Sequence, residues 1–489
     1  MSMTLHHLAH GIAEVPQDAE GLVVEGITSD SRQAGAGFLF AAIQGEQADG
    51  ARFAGAAVKN GAAAVLAGRD AVLDIPAWVP VLRADNPRLA LSLMAARFHS
   101  PQPDIVVAVT GTNGKTSVAS FVRQIWTILG LSAASIGTVG IVSPSGTRKL
   151  AHTTPDPVEV HAALEALSHE HVTHVALEAS SHGLAQYRLH GVRIAAAGFT
   201  NLTRDHLDYH MTFEAYLDAK MMLFEQVLGE GAGAIINADM PQTAAIIERC
   251  RKRGLVVSTV GFAGDALKLE AAEPHGFGQR LKVKGQQGEY SVYLPLVGAF
   301  QAENALMAVG LVVAAGGSEP HAMRALEQLR GATGRLELVA TTAAGAPVFV
   351  DYAHTPDALE HAIRSLRPNV SGKLYVVFGA GGDRDKGKRP EMGAVAAREA
   401  DVAIVTDDNP RSEDPAVIRS EIMAACPGAR EIGDRASAIA TAISELQAGD
   451  VLVVAGKGHE TGQTVGSTTL PFSDHEVVLT CVSGQVANG

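Results

Sequence analysis

Lys115 and Thr116 close the stretch VAVTGTNGKTS (107–117), where an apolar run meets a glycine-bearing loop and then a helical pattern. Backbone N–H groups at a helix N-terminus suit a phosphate, and a lysine at the end of the loop adds a point charge. The Thr116 hydroxyl is placed to ligate Mg2+. The loop reads G-x-x-G-K-T. The longer phosphate-loop pattern asks for glycine at position 109, where this chain has Val109. The competing reading is a tight turn with a surface lysine, and the strand and helix on either side weigh against it.

Further along, THVALEASSHGLAQYRLHG (173–191) sets Glu178 at the end of an apolar run. A carboxylate there can hold Mg2+, which takes oxygen ligands; without the phosphate loop it would read as an exposed loop acid. NLTRDHLDYHMTFEAYLDAK (201–220) is dense in polar groups. His206 and His210 stand four apart, a zinc-compatible spacing, but a helix start with solvated histidines is the preferred reading; one of them beside Mg2+ and phosphate also fits. Lys220, just before the apolar MMLFEQV, reads by pattern alone as a lysine whose stem covers apolar surface. Asn304 falls on a helical pattern. Arg335 and Asp351 border later segments and together could bind a nucleotide's phosphates and ribose. Last, TDDNPRSEDP (406–415) follows an apolar run, and Pro410 stiffens the backbone on both sides. A lone Arg411 on such a loop asks for a partner.

Elements that position these residues follow from the alternation of patterns. DIVVAVT, THVALEA, RIAAAGFT and GAIIN read as strands. SVASFVRQIWTIL, VEVHAALEALSHE and TFEAYLDAKMMLFEQV read as helices. Such alternation predicts an α/β fold with a mainly parallel sheet. A stretch near 265–298 reads as β-rich, and two helices follow to about Arg330. The remainder alternates again, through PVFVD, KLYVVFG, DVAIVTD and VLVVAG. Each of these four strands ends in polar or glycine-rich residues: DYAHTPD, GAGGDRDKGKRP, DDNPRSEDP and GKGHETGQ. Ligands of open α/β sheets collect at the carboxyl ends of strands.

With 489 residues the chain is long enough for about three domains. A hydrophobic content of 47% and a mean hydropathy of +0.12 describe a folded protein, with no apolar run of membrane-spanning length. The start lacks the pattern of a signal peptide. Three scattered cysteines, Cys250, Cys426 and Cys481, form no disulfide framework and fit a reducing cytoplasm. A net charge of −13 without a basic stripe argues against nucleic-acid binding.

The strings GTNGKT, TTPD, LEASSHGL, NLTRDHLDYH, GRLE, DYAHTPD, GGDRDKGKRP, DDNPR and GKGHE occur in this order. In this the chain resembles the Mur ligase family over nearly its whole length. The resemblance implies three domains: residues 1–102 binding a UDP-linked substrate, 103–332 binding ATP, and a Rossmann-like 333–489 binding an amino acid. It implies ATP held by Gly111, Thr112, Asn113, Gly114, Lys115, Thr116 and Ser117, with Asn304, Arg335 and Asp351. Ser29, Ser31, Glu46, Gln47 and Ala48 match positions that contact the uridine nucleotide. Thr153, Thr154, Ser180, Gln186 and Arg188 match positions that grip a muramoyl-dipeptide. Lys220 matches a lysine carbamylated by CO2 (N6-carboxylysine), which with Thr116, Glu178 and His206 would support Mg2+. Arg384, Asp408, Asn409, Pro410, Arg411, Gly456 and Glu460 match positions that read the incoming amino acid. Two departures, His152 and Glu46, touch only local substrate contacts.

The implied reaction joins meso-diaminopimelate to the D-glutamyl side chain of UDP-N-acetylmuramoyl-L-alanyl-D-glutamate through an acyl phosphate, in peptidoglycan precursor synthesis. Lys115, Glu178, His206 and Lys220 would be its catalytic residues. Arg411 suits the far carboxylate of the diamino diacid, and Asp408 and Glu460 suit its ammonium. The enzyme is expected to be a cytoplasmic monomer, not inserted in a membrane, whose domains close over their substrates. Alternatives are a relative adding lysine or D-Ala-D-Ala, a folylpolyglutamate synthase, or a nucleotide-driven switch.

Overall fold

The structure, a computed structural model, describes residues 2–45, 48–203 and 205–487. The chain divides into two compact units. The first runs to Lys268 and includes Gly285–Gln287 and Leu306–Ala322; the second holds Leu269–Lys284, Gly288–Ala305 and the described chain from Met323 onward.

In the first unit, four short strands form a parallel sheet in sequence order: β1 (Gly26–Thr28), β2 (Phe38–Ala41), β3 (Ala62–Gly68) and β4 (Val81–Ala84). Helix α1 (Pro87–Phe98) lays Leu91, Met94 and Phe98 into the core of this sheet. A second, larger sheet starts at β5 (Ile105–Thr110). It is followed by α2 (Lys115–Ile128), β6 (Ala133–Gly137), the edge strands β7 (Gly140–Ser143) and β8 (Gly146–Arg148), α3 (Pro157–His169) and β9 (His174–Glu178). Then come α4 (Ser181–Ala185), β10 (Ile194–Phe199), α5 (Phe213–Met222), β11 (Gly233–Asn237), α6 (Thr243–Lys252) and β12 (Val256–Gly261). The spatial order is β8-β7-β6-β9-β5-β10-β11-β12, parallel from β6 to β12.

This order explains where a ligand can sit. The connection leaving β5 passes over β9 to reach β6, and the connection leaving β10 goes the other way to β11. The carboxyl ends of β5 and β10 therefore face a crevice at a topological switch point. Strand β5 is apolar along its length because both its faces are covered.

The β-rich stretch forms β13 (Leu267–His275), β14 (Gly278–Gly285) and β15 (Glu289–Leu294), the last two an antiparallel hairpin. Helices α7 (Ala299–Ala314) and α8 (Glu319–Ala325) follow. In the second unit the chain continues as β16 (Glu337–Thr341), β17 (Pro347–Asp351), α9 (Pro356–Leu366), β18 (Leu374–Phe378), α10 (Lys388–Glu399) and β19 (Val402–Val405). It ends with α11 (Pro415–Met423), β20 (Arg430–Glu431), α12 (Arg435–Glu445), β21 (Val451–Ala455), the hairpin β22 (Gly462–Val465) and β23 (Thr468–Pro471), and α13 (Asp474–Ala487).

The sheet order is β16-β17-β21-β18-β19-β20, with only β16 antiparallel. The strand period of two divides the core. Phe349 of β17 faces Leu359, Ile363, Met392 and Ile422, while Val348 and Val350 face the layer of Ile439, Ile443 and Val478. Helix starts are sharply encoded: Asp156–Pro157, Thr355–Pro356 and Asp414–Pro415 each pair a capping side chain with a proline at the first helical position. Among the described residues, no helix is long and apolar enough to cross a membrane.

Candidate active site

In the first unit the phosphate loop is built as its sequence predicts. Gly114 caps α2 at φ +87 and Gly111 stands at φ +145, both hard for a residue with a Cβ. A Cβ on Gly111 would lie 1.9 Å from Thr200 Oγ1. The loop is pinned from the end of β10: Thr112 N–H donates to Asn201 O (2.9 Å), Asn113 N–H to Asn201 Oδ1 (2.8 Å), and the Thr200 hydroxyl to Asn113 O (2.6 Å). The Lys115 ammonium folds back on Gly111 O (2.9 Å) and Thr112 O (2.8 Å).

Glu178, at the carboxyl end of β9, is buried and held from three sides. The Thr116 hydroxyl donates to its Oε2 (3.0 Å), Thr138 N–H to Oε1 (2.8 Å) and the Thr138 hydroxyl to Oε2 (3.1 Å). Thr138 was not singled out in the sequence; the signal for it was GTVG directly after a strand. Gly137 beside it is obligatory, since a Cβ there would lie 2.0 Å from Glu178 Oε1. Gly137→Ala is expected to rotate the carboxylate away and to lower ATP-dependent turnover by roughly a hundredfold, the usual cost of a misplaced group. Steady-state kinetics beside a thermal melt checks this, and unchanged turnover would count against the role of Glu178.

Among the residues matched to the dipeptide grip, Thr154 meets the backbone of Glu178 and Thr153 meets Thr138, which holds its carboxylate. Thr154 Oγ1 donates to Glu178 O (2.8 Å) and accepts from Ser180 N–H (2.9 Å), and the Thr153 and Thr138 hydroxyls lie 3.0 Å apart. Arg188 donates to Thr154 O (2.6 Å) and to Gln186 Oε1 (2.7 Å), and Gln186 reaches the Tyr209 hydroxyl (3.3 Å).

Lys220 overturns its pattern-only reading. It is 1% exposed, and its Nζ donates to Gly111 O (2.7 Å) and lies 4.3 Å from the centre of the Tyr216 ring. Burial, and then the nearby Lys115 charge, push its pKa well below the ordinary lysine value. The helix carrying it was expected to run unbroken to Val227; instead α5 ends at Met222 and Leu223–Val227 forms a π-helical turn. Tyr216 ties the lysine to the loop, its hydroxyl 3.2 Å from Thr112 Oγ1. His206 joins this cluster through rings: it lies 4.8 Å from His182 and 6.2 Å from Tyr216, while its own ring nitrogen is 3.5 Å from Asp205. His210 packs on Tyr216 at 5.2 Å.

Among the residues matched to a uridine nucleotide, Ser29 is exposed and Ser31 O accepts from the Asn60 side chain (2.8 Å). Ala48 O accepts from Gly45 N–H (2.8 Å). Glu46 and Gln47 lie outside the described residues.

In the second unit, four adjacent strand ends form the other constellation, as their polar tails predicted. Arg411 donates to Gly382 O (2.7 Å), and a Cβ on Gly381 would meet its guanidinium at 2.8 Å. Asn409 donates to Glu460 Oε2 (2.9 Å). Lys457, fully buried and missed in the sequence, donates to that same oxygen (2.8 Å) and to Asn409 Oδ1 (3.1 Å). Glu460 is thus already paired. Asp408 is buried, and its Oδ2 accepts no hydrogen bond. Pro410 is buried, and Arg384 is exposed on its loop. A Cβ on Gly456 (φ +118) would lie 2.6 Å from Asp408 Oδ2.

Asp351 accepts from Leu336 N–H (2.7 Å) and Ala353 N–H (2.8 Å). Loss of solvent raises its carboxyl pKa, and the Arg335 charge opposes the rise. Arg335 sits 5.1 Å above the Tyr352 ring. Asn304 donates to Gln301 on its own helix (3.3 Å).

Backbone strain marks both constellations. Of the non-glycine residues at positive φ among those described, Tyr187, His206, Met211, Leu336, Asp383 and Arg411 all lie in or beside these segments, and His171 alone does not.

Comparison with known proteins gives the same answer along the whole chain. The Mur ligase middle domain matches residues 109–312; the Mur ligase, glutamate ligase domain matches 334–458; and the Mur ligase family, catalytic domain matches 23–99. The UDP-N-acetylmuramoyl-L-alanyl-D-glutamate--2,6-diaminopimelate ligase of Brucella melitensis biotype 1 is 55% identical over 471 residues, which is 96% of each chain. The protein of the same name from Mesorhizobium japonicum is 54% identical over 487 residues, 99% of this chain and 100% of its own. A solved structure of a protein with that name superposes with a TM-score of 0.74 at 33% identity, over 99% of this chain and 100% of that one. The phosphate loop, the held glutamate and most of the strand-end constellation sit within segments that all match one family: the chain belongs to the Mur ligase family.

Proposed function

We propose that this chain is the ATP-dependent ligase that joins meso-diaminopimelate to the D-glutamyl side-chain carboxylate of UDP-N-acetylmuramoyl-L-alanyl-D-glutamate, in peptidoglycan precursor synthesis. The observation that carries this reading is the single network of Lys115, Thr116, Glu178, Thr154 and Lys220 around a glycine loop. Its support is the high identity to relatives named for this reaction.

A carboxylate is a poor electrophile, because its charge repels nucleophiles and oxide is a poor leaving group. Moving the γ-phosphoryl of ATP onto it gives an acyl phosphate. An amine then adds to the acyl carbon, and the C–O bond to phosphate breaks as the amide forms and the amine loses its proton. Phosphoryl transfer needs in-line positioning and charge neutralisation more than covalent help. The N–H groups of residues 111–117 and the Lys115 ammonium provide these at the start of α2. Thr153, Thr154, Ser180, Gln186 and Arg188 hold the dipeptide beside Glu178, and Ser29, Ser31, Glu46, Gln47 and Ala48 hold the uridine end. Asn304, Arg335 and Asp351 are the further residues that the family resemblance assigns to ATP.

The donor set around Glu178 fits a hard cation: one carboxylate and two hydroxyls, with no cluster of three or more histidine, cysteine or acidic residues among those described. Mg2+ would be held by Thr116, Glu178, His206 and carbamylated Lys220, and when bound it offsets charge on the phosphate oxygens. Lys220 suits carbamylation because only a neutral amine adds to CO2, and burial favours the neutral form. The addition forms an N–C bond, leaves one N–H on that nitrogen and releases one proton. We expect activity to fall in buffers stripped of CO2 and to return with bicarbonate, followed by coupled ADP release. A CO2-independent enzyme would remove the carbamate from this account.

At the acceptor end, Arg384, Asp408, Asn409, Pro410, Arg411, Gly456 and Glu460 read the amino acid. The enzyme acts as a cytoplasmic monomer. The deciding experiment is a panel of amino acids assayed by product mass with ATP and the UDP-muramoyl-dipeptide. Diaminopimelate should be the preferred acceptor, and ADP should form only when all substrates are present. ATP turnover that needs neither acceptor nor precursor would favour the nucleotide-switch reading instead.

A further inference from the structure

Arg435 and Asp474 are the one ion pair in the second unit, among the described residues, with both side chains fully buried. Arg435 Nε and Nη2 donate to the two Asp474 oxygens at 2.7 and 2.8 Å. A buried pair of this kind is weak evidence for stability, since apolar residues of the same volume often serve as well. Its surroundings give it another task.

The same guanidinium donates through Nη2 to Ala455 O (3.0 Å) and points Nη1 at Asp407 O (3.5 Å). These carbonyls immediately precede Gly456 and Asp408, on strand ends that flank β18. A Cβ placed on Gly456 would be 2.6 Å from Asp408 Oδ2 and 3.9 Å from Arg435 Nη2. A guanidinium therefore stands close to a buried carboxylate oxygen that has no hydrogen bond. Left to itself, such an oxygen would capture the guanidinium and be quenched. Asp474 prevents this by occupying the same donors.

We propose that Arg435, held by Asp474, is a positioning residue for acceptor selection: it fixes the Gly456 and Asp408 strand ends and keeps Asp408 Oδ2 open for the ammonium of the incoming amino acid. The inference rests on the ligase reading above and deepens it. Neither residue touches substrate. Their effect is on how the site presents its open oxygen, so it should appear in acceptor binding and not in the nucleotide half of the reaction.

The test is steady-state kinetics on the full chain with diaminopimelate, ATP and the UDP-muramoyl-dipeptide each varied in turn. Asp474→Asn keeps the volume but loosens the hold on the guanidinium. It should raise KM for diaminopimelate at least tenfold, with KM for ATP and for the dipeptide within twofold of the parent and kcat little changed. Arg435→Lys keeps the charge but cannot reach Asp474 and Ala455 together, and should give a smaller rise of the same kind. Arg435→Met with Asp474→Leu removes both charges without burying a lone one, which keeps the fold testable. It should raise the acceptor KM and reduce discrimination against lysine. Unchanged acceptor KM in folded variants, or equal rises in all three KM values, would overturn the proposal. A parent enzyme that forms no diaminopimelate product would instead overturn the reading it rests on.

Discussion

Lys115→Ala is expected to lower ADP formation by on the order of a thousandfold with all substrates saturating, the scale seen when a charge-stabilising donor is removed from a transition state. Its ammonium rests on two carbonyls of its own loop, Gly111 O and Thr112 O, so it stands where the phosphate chain would enter. Loss of those two bonds should cost only about 1 kcal/mol each in stability. The thermal transition should therefore move by a few degrees at most while turnover collapses. Arginine should not substitute, because its planar fork does not fit where a compact point charge does. A Lys115→Ala variant that kept parental ATP turnover would remove the loop from the mechanism.

Arg411→Ala should erase the preference for diaminopimelate over lysine. A site built around a buried polar partner can reject an analogue lacking that partner by ~10,000-fold or more. Two effects add up in that ratio. With diaminopimelate, the guanidinium gains a charge-assisted contact; with lysine, it gains none beyond its bond to Gly382 O. Removing it should lower kcat/KM for the diamino diacid by about a hundredfold and raise it for lysine by a comparable factor. Competition between the two acceptors, read by product mass, measures both at once. Retained discrimination would move specificity to another group, and Arg384 on the neighbouring loop would be the next to test. Arg411 sits at φ +53 with its guanidinium against Gly382 O, so its direction is set by a strained backbone as well as by side-chain contacts.

Much of this was readable from residue types. Continuous, β-branched apolar runs such as LYVVF and VLVVA, short and bounded by turn residues, read as strands covered on both faces, which they are. Their polar tails then had to gather at one edge, and the four tails do occupy adjacent strands. The phosphate loop was legible because glycine, lysine and threonine fall at fixed offsets from a strand.

What stayed hidden depended on tertiary contact. AASIG has a single β-branched residue and does not read as a strand, so Thr138 went unnoticed until the fold set it against Glu178. Lys220 looked amphipathic because helical periodicity reports which face is apolar, not which face is covered by another loop. The π turn after it was invisible for a related reason: MMLFEQV continues the helical period, and only the backbone shows the extra residue. Lys457 lies in a glycine-rich loop that reads as solvent-facing, yet it is fully buried because it neutralises Glu460.

One carbonyl oxygen, that of Gly111, receives both Lys115 and Lys220. Two like charges leaning on a single acceptor disfavour each other, so whatever draws one amine away or discharges it relieves the other. Nucleotide affinity and the protonation of the deeper lysine are thereby linked, and linkage runs in both directions by the same factor. ATP should bind more tightly while the inner amine keeps its charge, and that amine should give it up less readily once ATP has drawn Lys115 away. The enzyme would then respond to dissolved CO2 as an effector of its own cosubstrate, through nothing more than a shared oxygen.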